Sequence, residues 1–237
     1  MILGVYGFQD AGKTSLVEDL VKELVTKGYR VSSVKHTPHR KSIDCEGKDT
    51  WRHWQAGSDP VVFSSEIETS IIRHTKMSSE EVTRLVQEFF TPDILIIEGF
   101  KEGSFPKVAV GDVKPRKGTV LVNPTLPRLV RWIEEEISVE RVLARLPGLD
   151  CQKCGMDCDG LARAVAAGKR KLEDCRELPA ALVDVRVGKE RLTMGKFASA
   201  VVEDTVRGLL SSLRGYAPGK EVEIRLEGKR RASKKRR

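Results

Sequence analysis

The sequence predicts an α/β fold, a mostly parallel sheet flanked by helices, followed by a small α+β domain organised around cysteines. Three observations carry this reading. Short apolar runs alternate with amphipathic helical stretches over roughly the first 125 residues, the pattern of a layered sheet with helical crossovers. The first apolar run leads straight into a glycine-bounded loop and then a helix. Four of the five cysteines cluster behind a composition change at Leu146-Pro147-Gly148.

Residues 2–6, Ile2-Leu3-Gly4-Val5-Tyr6, are an apolar run of the length of a buried parallel strand. Residues 13–27 place Leu16, Val17, Leu20, Val21, Leu24 and Val25 on one helical stripe, and Gly28 is suited to stop it. Residues 29–35 read as the next strand, and the polar stretch 37–50 as a loop. A short helix is expected at 51–56, strands at 61–63 and 69–72, and a helix to about residue 90 opened by Ser78 and Glu81 as a capping box. Strands at 93–98, 107–110 and 119–122 follow, then a helix over 127–137 with Pro127 in its first turn. Beyond the cysteines, a hairpin is expected around Gly188 (182–187 with 191–193), a helix at 196–213 and a last strand at 222–226. The domain reading is 1–146 for nucleotide binding, 147–227 for the cysteine domain and 228–237 for a basic tail.

Hydrophobic residues make up 40% and charged residues 32% of the 237 positions, a composition able to build a soluble core. No apolar run reaches the roughly 20 residues a membrane span needs, and the start reads as a strand rather than a leader. The expectation is a cytoplasmic chain without a membrane partner. The formal charge is +8, but seven positive side chains lie in the tail from Lys229 to Arg237, and without them it falls to +1. With aromatics at only 5% and no basic folded surface indicated, nucleic acid is not the expected partner.

The loop Gly7-Phe8-Gln9-Asp10-Ala11-Gly12-Lys13-Thr14 matches G-x-x-x-x-G-K-[ST], a P-loop, in its proper place between strand and helix. Its amide groups and the helix N-terminus suit a phosphate. Gly7, Gln9, Asp10, Ala11, Gly12, Lys13, Thr14 and Ser15 are the candidate nucleotide contacts. Lys13 would reach the β- and γ-phosphates and Thr14 would ligate Mg2+. Glu98 ends a buried strand and precedes Gly99. An acid there can hold Mg2+ or position an attacking water, so Lys13 and Glu98 are the candidate catalytic pair. Lys35 and His36 end the second strand and should face the same site, because open α/β sheets bind ligands at the carboxyl ends of their strands. Asp44 or Asp49 could assist Mg2+, and Arg52 adds a positive group. His39 and His53 read equally well as ordinary loop polarity, and Cys45 as a small loop residue.

These residues resemble the MobB family, molybdopterin guanine dinucleotide biosynthesis adaptors. The match covers roughly residues 1–115. It rests on the P-loop, Val34-Lys35-His36, Asp44, Gly47-Lys48-Asp49-Thr50, Trp51-Arg52-His53, Gln55-Ala56-Gly57 and Ile97-Glu98-Gly99-Phe100-Lys101. Like that family, the chain lacks the N-K-x-D loop with which translational GTPases read guanine, and Asn123-Pro124-Thr125 is not that motif. The resemblance implies GTP with Mg2+, weak hydrolysis and a homodimer. It also implies molybdopterin as a ligand and a nucleotidyltransferase partner in joining GMP to it, in molybdenum or tungsten cofactor maturation.

Cys151, Cys154, Cys158 and Cys175 have the spacing C-x2-C-x3-C-x16-C, with no histidine nearby. Such clustering in a reducing compartment points to metal rather than disulfides. The stretch resembles the four-cysteine modules of Rnf-type and corrinoid electron-transfer subunits, which usually carry four residues between the second and third cysteines. Four thiolates suit a [4Fe–4S] cluster or Zn2+. They keep a second function open, a nucleotide-switched electron-transfer or metal-sensing protein. A small-molecule kinase is a third, but no acceptor pocket is legible.

Overall fold

A computed structural model describes residues 1–39, 41–99, 102–178, 183–188 and 190–224. Five parallel strands form the main sheet: β1 (Ile2–Gly7), β2 (Val31–Lys35), β5 (Ile94–Glu98), β6 (Lys107–Val110) and β7 (Thr119–Val122), in the order β2-β5-β1-β6-β7. Two short strands, β3 (Val61–Ser64) and β4 (Thr69–Ile72), pair separately as an antiparallel hairpin.

Alternate strand residues feed two cores. Leu3, Val5, Ile94, Ile96 and Val108 face α1 (Lys13–Thr26) and α4 (Leu126–Leu143), where they meet Leu20, Leu24, Leu129, Val130, Ile133 and Ile137. Leu95, Ile97 and Phe105 pack on the other face with Val34 and with Val86 of α3 (Ser79–Phe90). Helices therefore cover both faces, as buried parallel strands require. The capping box opens α3 as expected: Ser78 Oγ accepts from Glu81 N at 3.2 Å, and Ser78 N donates to the Glu81 carboxylate at 2.7 Å.

Helix α4 runs to Leu143, six residues beyond its expected end at 137. The reason is a change of face. Leu129, Ile133 and Ile137 serve the sheet, whereas Val139, Val142 and Leu143 turn to a second cluster with Leu146, Leu161, Ala162, Leu172 and Cys175. Helix α5 (Cys158–Ala166) lies against that far half. Arg163 ties the two helices, donating to Glu136 at 2.7 Å and to Asp159 at 2.8 Å.

The hairpin around Gly188 is shorter than expected, β8 (Arg186–Val187) with β9 (Glu190–Arg191), and residue 182 lies outside the described residues. Helix α6 (Lys196–Ser211) follows. The expected strand at 222–226 is not formed over residues 222–224, which pair with no strand among the described residues; the rest of it, and the 228–237 tail, lie outside the described residues. Among the described residues, no helix is long and apolar enough to cross a membrane.

Candidate functional site

The phosphate loop joins β1 to α1 at the carboxyl end of the sheet. Gly12 caps α1 at φ 83° and Asp10 lies at φ 58°, so the loop turns through left-handed backbone that glycine adopts without strain. Lys13 reaches back across the loop and donates from Nζ to the Phe8 carbonyl. Gln9, Asp10 and Ser15 are exposed, and Ala11 is half-buried.

Glu98 is buried at the end of β5, beside β1 and β2. Thr14 Oγ1 donates to its two carboxylate oxygens at 3.1 and 3.3 Å, and Lys35 Nζ pairs with Oε1. A buried carboxylate needs such partners, because an unpaired one is costly to desolvate. His36 N donates to the Glu98 carbonyl at 2.8 Å. Gly99, at φ +116°, lets β2 come this close: a Cβ there would stand 2.6 Å from the His36 carbonyl oxygen. Partial burial, and then the charge of Lys76, lower the pKa of His36 and favour neutral imidazole. The structure thus brings together Lys13, Thr14, Lys35, His36 and Glu98. Thr14 and Glu98 offer the hard oxygen donors that suit Mg2+. Asp93, at the other end of β5, instead accepts from Arg30 N at 3.0 Å and from Arg141 at 3.2 Å.

Asp49 and Arg52 are not gathered into this site. They lie exposed on α2 (Asp49–Gln55), paired with each other at 3.8 Å. The Asp44 side chain is buried, with a partner on each oxygen. It accepts from Thr50 Oγ1 at 2.7 Å and contacts His74 Nε2 at 3.2 Å. The His74 ring stacks on Trp54 with centroids 3.9 Å apart and an interplanar angle of 17°. This group locks the loop before α2 to the exit of β4. His74 escaped sequence reading: it lies 30 positions from Asp44, and no local motif marks it.

No described cysteine is in a disulfide; of the four that follow α4, Cys175 is buried, Cys154 and Cys158 are half-buried, and Cys151 is exposed. Burial first, and then the nearby charges of Cys154, Cys158 and Cys151, push the Cys175 thiol up. Cys175, Cys154 and Cys158 pack into one small apolar cluster, with Cys151 exposed. Asp150 Oδ1 accepts from Cys158 N at 2.9 Å, and Asp157 caps α5 through Gly160 N at 2.7 Å. Among the described residues, no three His, Cys, Asp or Glu side chains are gathered closely enough as placed to hold a metal ion. The donor set itself, four soft thiols without histidine, fits an iron–sulfur cluster or Zn2+.

Comparison with known proteins bears on both regions. Residues 2–150 match the model of the family MobB, molybdopterin guanine dinucleotide synthesis protein B. The chain belongs to the MobB family. A relative from Methanocaldococcus jannaschii, named "Putative molybdopterin-guanine dinucleotide biosynthesis adapter protein", is 25% identical over 236 residues, 95% of this chain and 97% of that protein. The molybdopterin-guanine dinucleotide biosynthesis adapter protein of Haemophilus influenzae is 37% identical over 109 residues, 45% of this chain and 61% of that protein. The solved structure of Bacillus subtilis MobB aligns with a TM-score of 0.44 at 23% identity, covering 56% of this chain and 94% of that one. Residues 146–176 match a second model, "Putative Fe-S cluster", which includes all four clustered cysteines.

Proposed function

We propose that this chain is a GTP-binding adaptor of molybdenum or tungsten cofactor biosynthesis, which assists conversion of molybdopterin to its guanine dinucleotide form and hydrolyses GTP weakly. The observation that carries the reading is Glu98, buried between Thr14 and Lys35 beside a complete phosphate loop, in a chain of the MobB family. The loop amides and Lys13 would hold the phosphates, Thr14 and Glu98 would hold Mg2+, and Lys35 and His36 border the same space. Phosphoryl transfer is mostly positioning and charge stabilisation, so a site with few committed groups suits slow turnover. A nucleotidyltransferase of the pathway is the partner enzyme.

The test measures GTP, ATP and molybdopterin binding to the purified chain, and guanine dinucleotide formation with a nucleotidyltransferase present. GTP binding and faster dinucleotide formation are expected. Tight ATP preference with phosphate transfer to a small acceptor would overturn the reading.

A homodimer fits the same proposal. The β3–β4 hairpin stands apart from the main sheet and exposes Val62, Phe63, Ile67 and Ile71. An isolated two-stranded hairpin is marginal in water, and an apolar one invites pairing. The double substitution Phe63→Asp, Ile71→Asp is expected to yield monomers in sedimentation while GTP binding persists. An unchanged dimer would place the interface elsewhere.

The cysteine region is assigned a [4Fe–4S] cluster held by Cys151, Cys154, Cys158 and Cys175, with Zn2+ as the alternative. When bound, such a cluster supplies one-electron chemistry, whereas Zn2+ supplies cross-linking alone.

A further inference from the structure

The phosphate loop and Glu98 account for phosphates and Mg2+ but leave the base without a place. Topology decides where it lies. Lys35 and Glu98 stand on β2 and β5, to one side of β1. A γ-phosphate and Mg2+ held on that side would leave the ribose and base to extend to the other, over the ends of β6 and β7. Strands lie about 4.8 Å apart, so β7 is about 10 Å from β1, within the reach of a nucleoside triphosphate.

The loops that leave β6 and β7 are built as one unit there. Gly111 N donates to Asn123 Oδ1 at 2.7 Å, and Asn123 Nδ2 donates back to the Gly111 carbonyl at 3.2 Å. Asn123 N donates to the Ala109 carbonyl at 2.9 Å, and its φ is 44°. Gly111, at φ +84°, presses on the phosphate loop: a Cβ there would lie 2.9 Å from Ala11 Cβ. The next residue is Asp112. It is exposed, and among the described residues no hydrogen bond or ion pair engages its carboxylate. It is also the only acid in 111–118 and 123–125.

We infer that these two loops form the base subsite and that the Asp112 carboxylate reads guanine, with Asn123 as a positioning residue. The inference rests on the GTP reading above. The Watson–Crick edge of guanine presents two adjacent donors, N1–H and the 2-amino group, and a carboxylate accepts both in parallel. Adenine presents a lone pair at N1 and no donor at C2, so the carboxylate would be left unpaired against it. This supplies the discrimination that an N-K-x-D loop would otherwise provide.

The experiment measures the affinity of the full chain and of Asp112→Asn for GTP, XTP and ATP. Xanthine carries a carbonyl where guanine has its 2-amino group, and an asparagine amide donates to it while accepting from N1–H. In the variant, GTP affinity is expected to fall by about tenfold or more, from the loss of charge-assisted bonds, and XTP affinity to rise correspondingly. Asp112 is exposed, so the variant should melt like the parent. Unaltered GTP affinity in Asp112→Asn overturns the assignment, as does an equal loss of all three nucleotides. A parent chain that prefers ATP overturns the GTP reading itself, a result visible before any variant is made.

Discussion

Lys13→Ala is expected to weaken GTP binding by about 100-fold or more, with Tm moving by less than about 2 °C. The two halves of this expectation have separate causes. Lys13 opens α1 with its ammonium folded over the phosphate loop onto the Phe8 carbonyl. A lysine there would make charge-assisted bonds to the β- and γ-phosphates, each worth about 1.5–3 kcal/mol. Losing two such bonds costs about 3 kcal/mol or more, and each 1.4 kcal/mol is about tenfold in affinity. Stability is a different matter, because α1 is anchored to the sheet through Leu20 and Leu24, not through its first turn. Substitutions away from core contacts are usually within about 0.5 kcal/mol, which for a chain of this size is about 1–2 °C. Titration calorimetry with GTP and a thermal melt on the same sample check both. Unchanged affinity would show that the loop is not the nucleotide site.

The same contrast explains what was legible in the sequence. The phosphate loop is read from local order, strand then glycines then helix, and the structure keeps that order. Glu98 was legible because it ends an unbroken apolar strand, and the strand's burial carries the acid to the sheet's carboxyl edge beside Thr14 and Lys35. Asp49 and Arg52 share a sequence block with the family motif, but no strand end aims them; they stay on the exposed face of α2. His74 was illegible for the opposite reason: its role comes from a fold-back that sets it on Trp54 and against Asp44, and no period in the chain encodes a contact at that separation. The expected end of α4 at 137 falls short because no local signal after Ile137 marks a second packing face. The helix serves two cores in turn, and the stripe swings between them after Ile137.

That swing bears on the second large expectation. Cys175→Ser is expected to strip the metal from the cysteine region and to destabilise it, whereas Cys45→Ser, in an exposed loop, should change neither. The cluster behind α4 has few buried side chains, Val139, Leu146, Leu161, Ala162, Leu172 and Cys175. So small a core holds poorly without a staple, and in small domains a metal commonly supplies it. Removing a partner that only supports a metal ligand costs about 10–100-fold in affinity, so losing a ligand itself should cost more. Serine nearly matches cysteine in volume, so a cavity is not what the variant would report. Cys175 is the decisive choice because it is the buried one of the four, in the cluster that holds Leu172, Cys154 and Cys158. Anaerobic isolation followed by metal and sulfide analysis of parent and both variants reads the outcome. A brown parent with iron and acid-labile sulfide assigns the iron–sulfur cluster, and a colourless one with a single zinc assigns the alternative. A metal-free parent, with Cys175→Ser melting at the parent temperature, would mean that packing alone holds this region against α4.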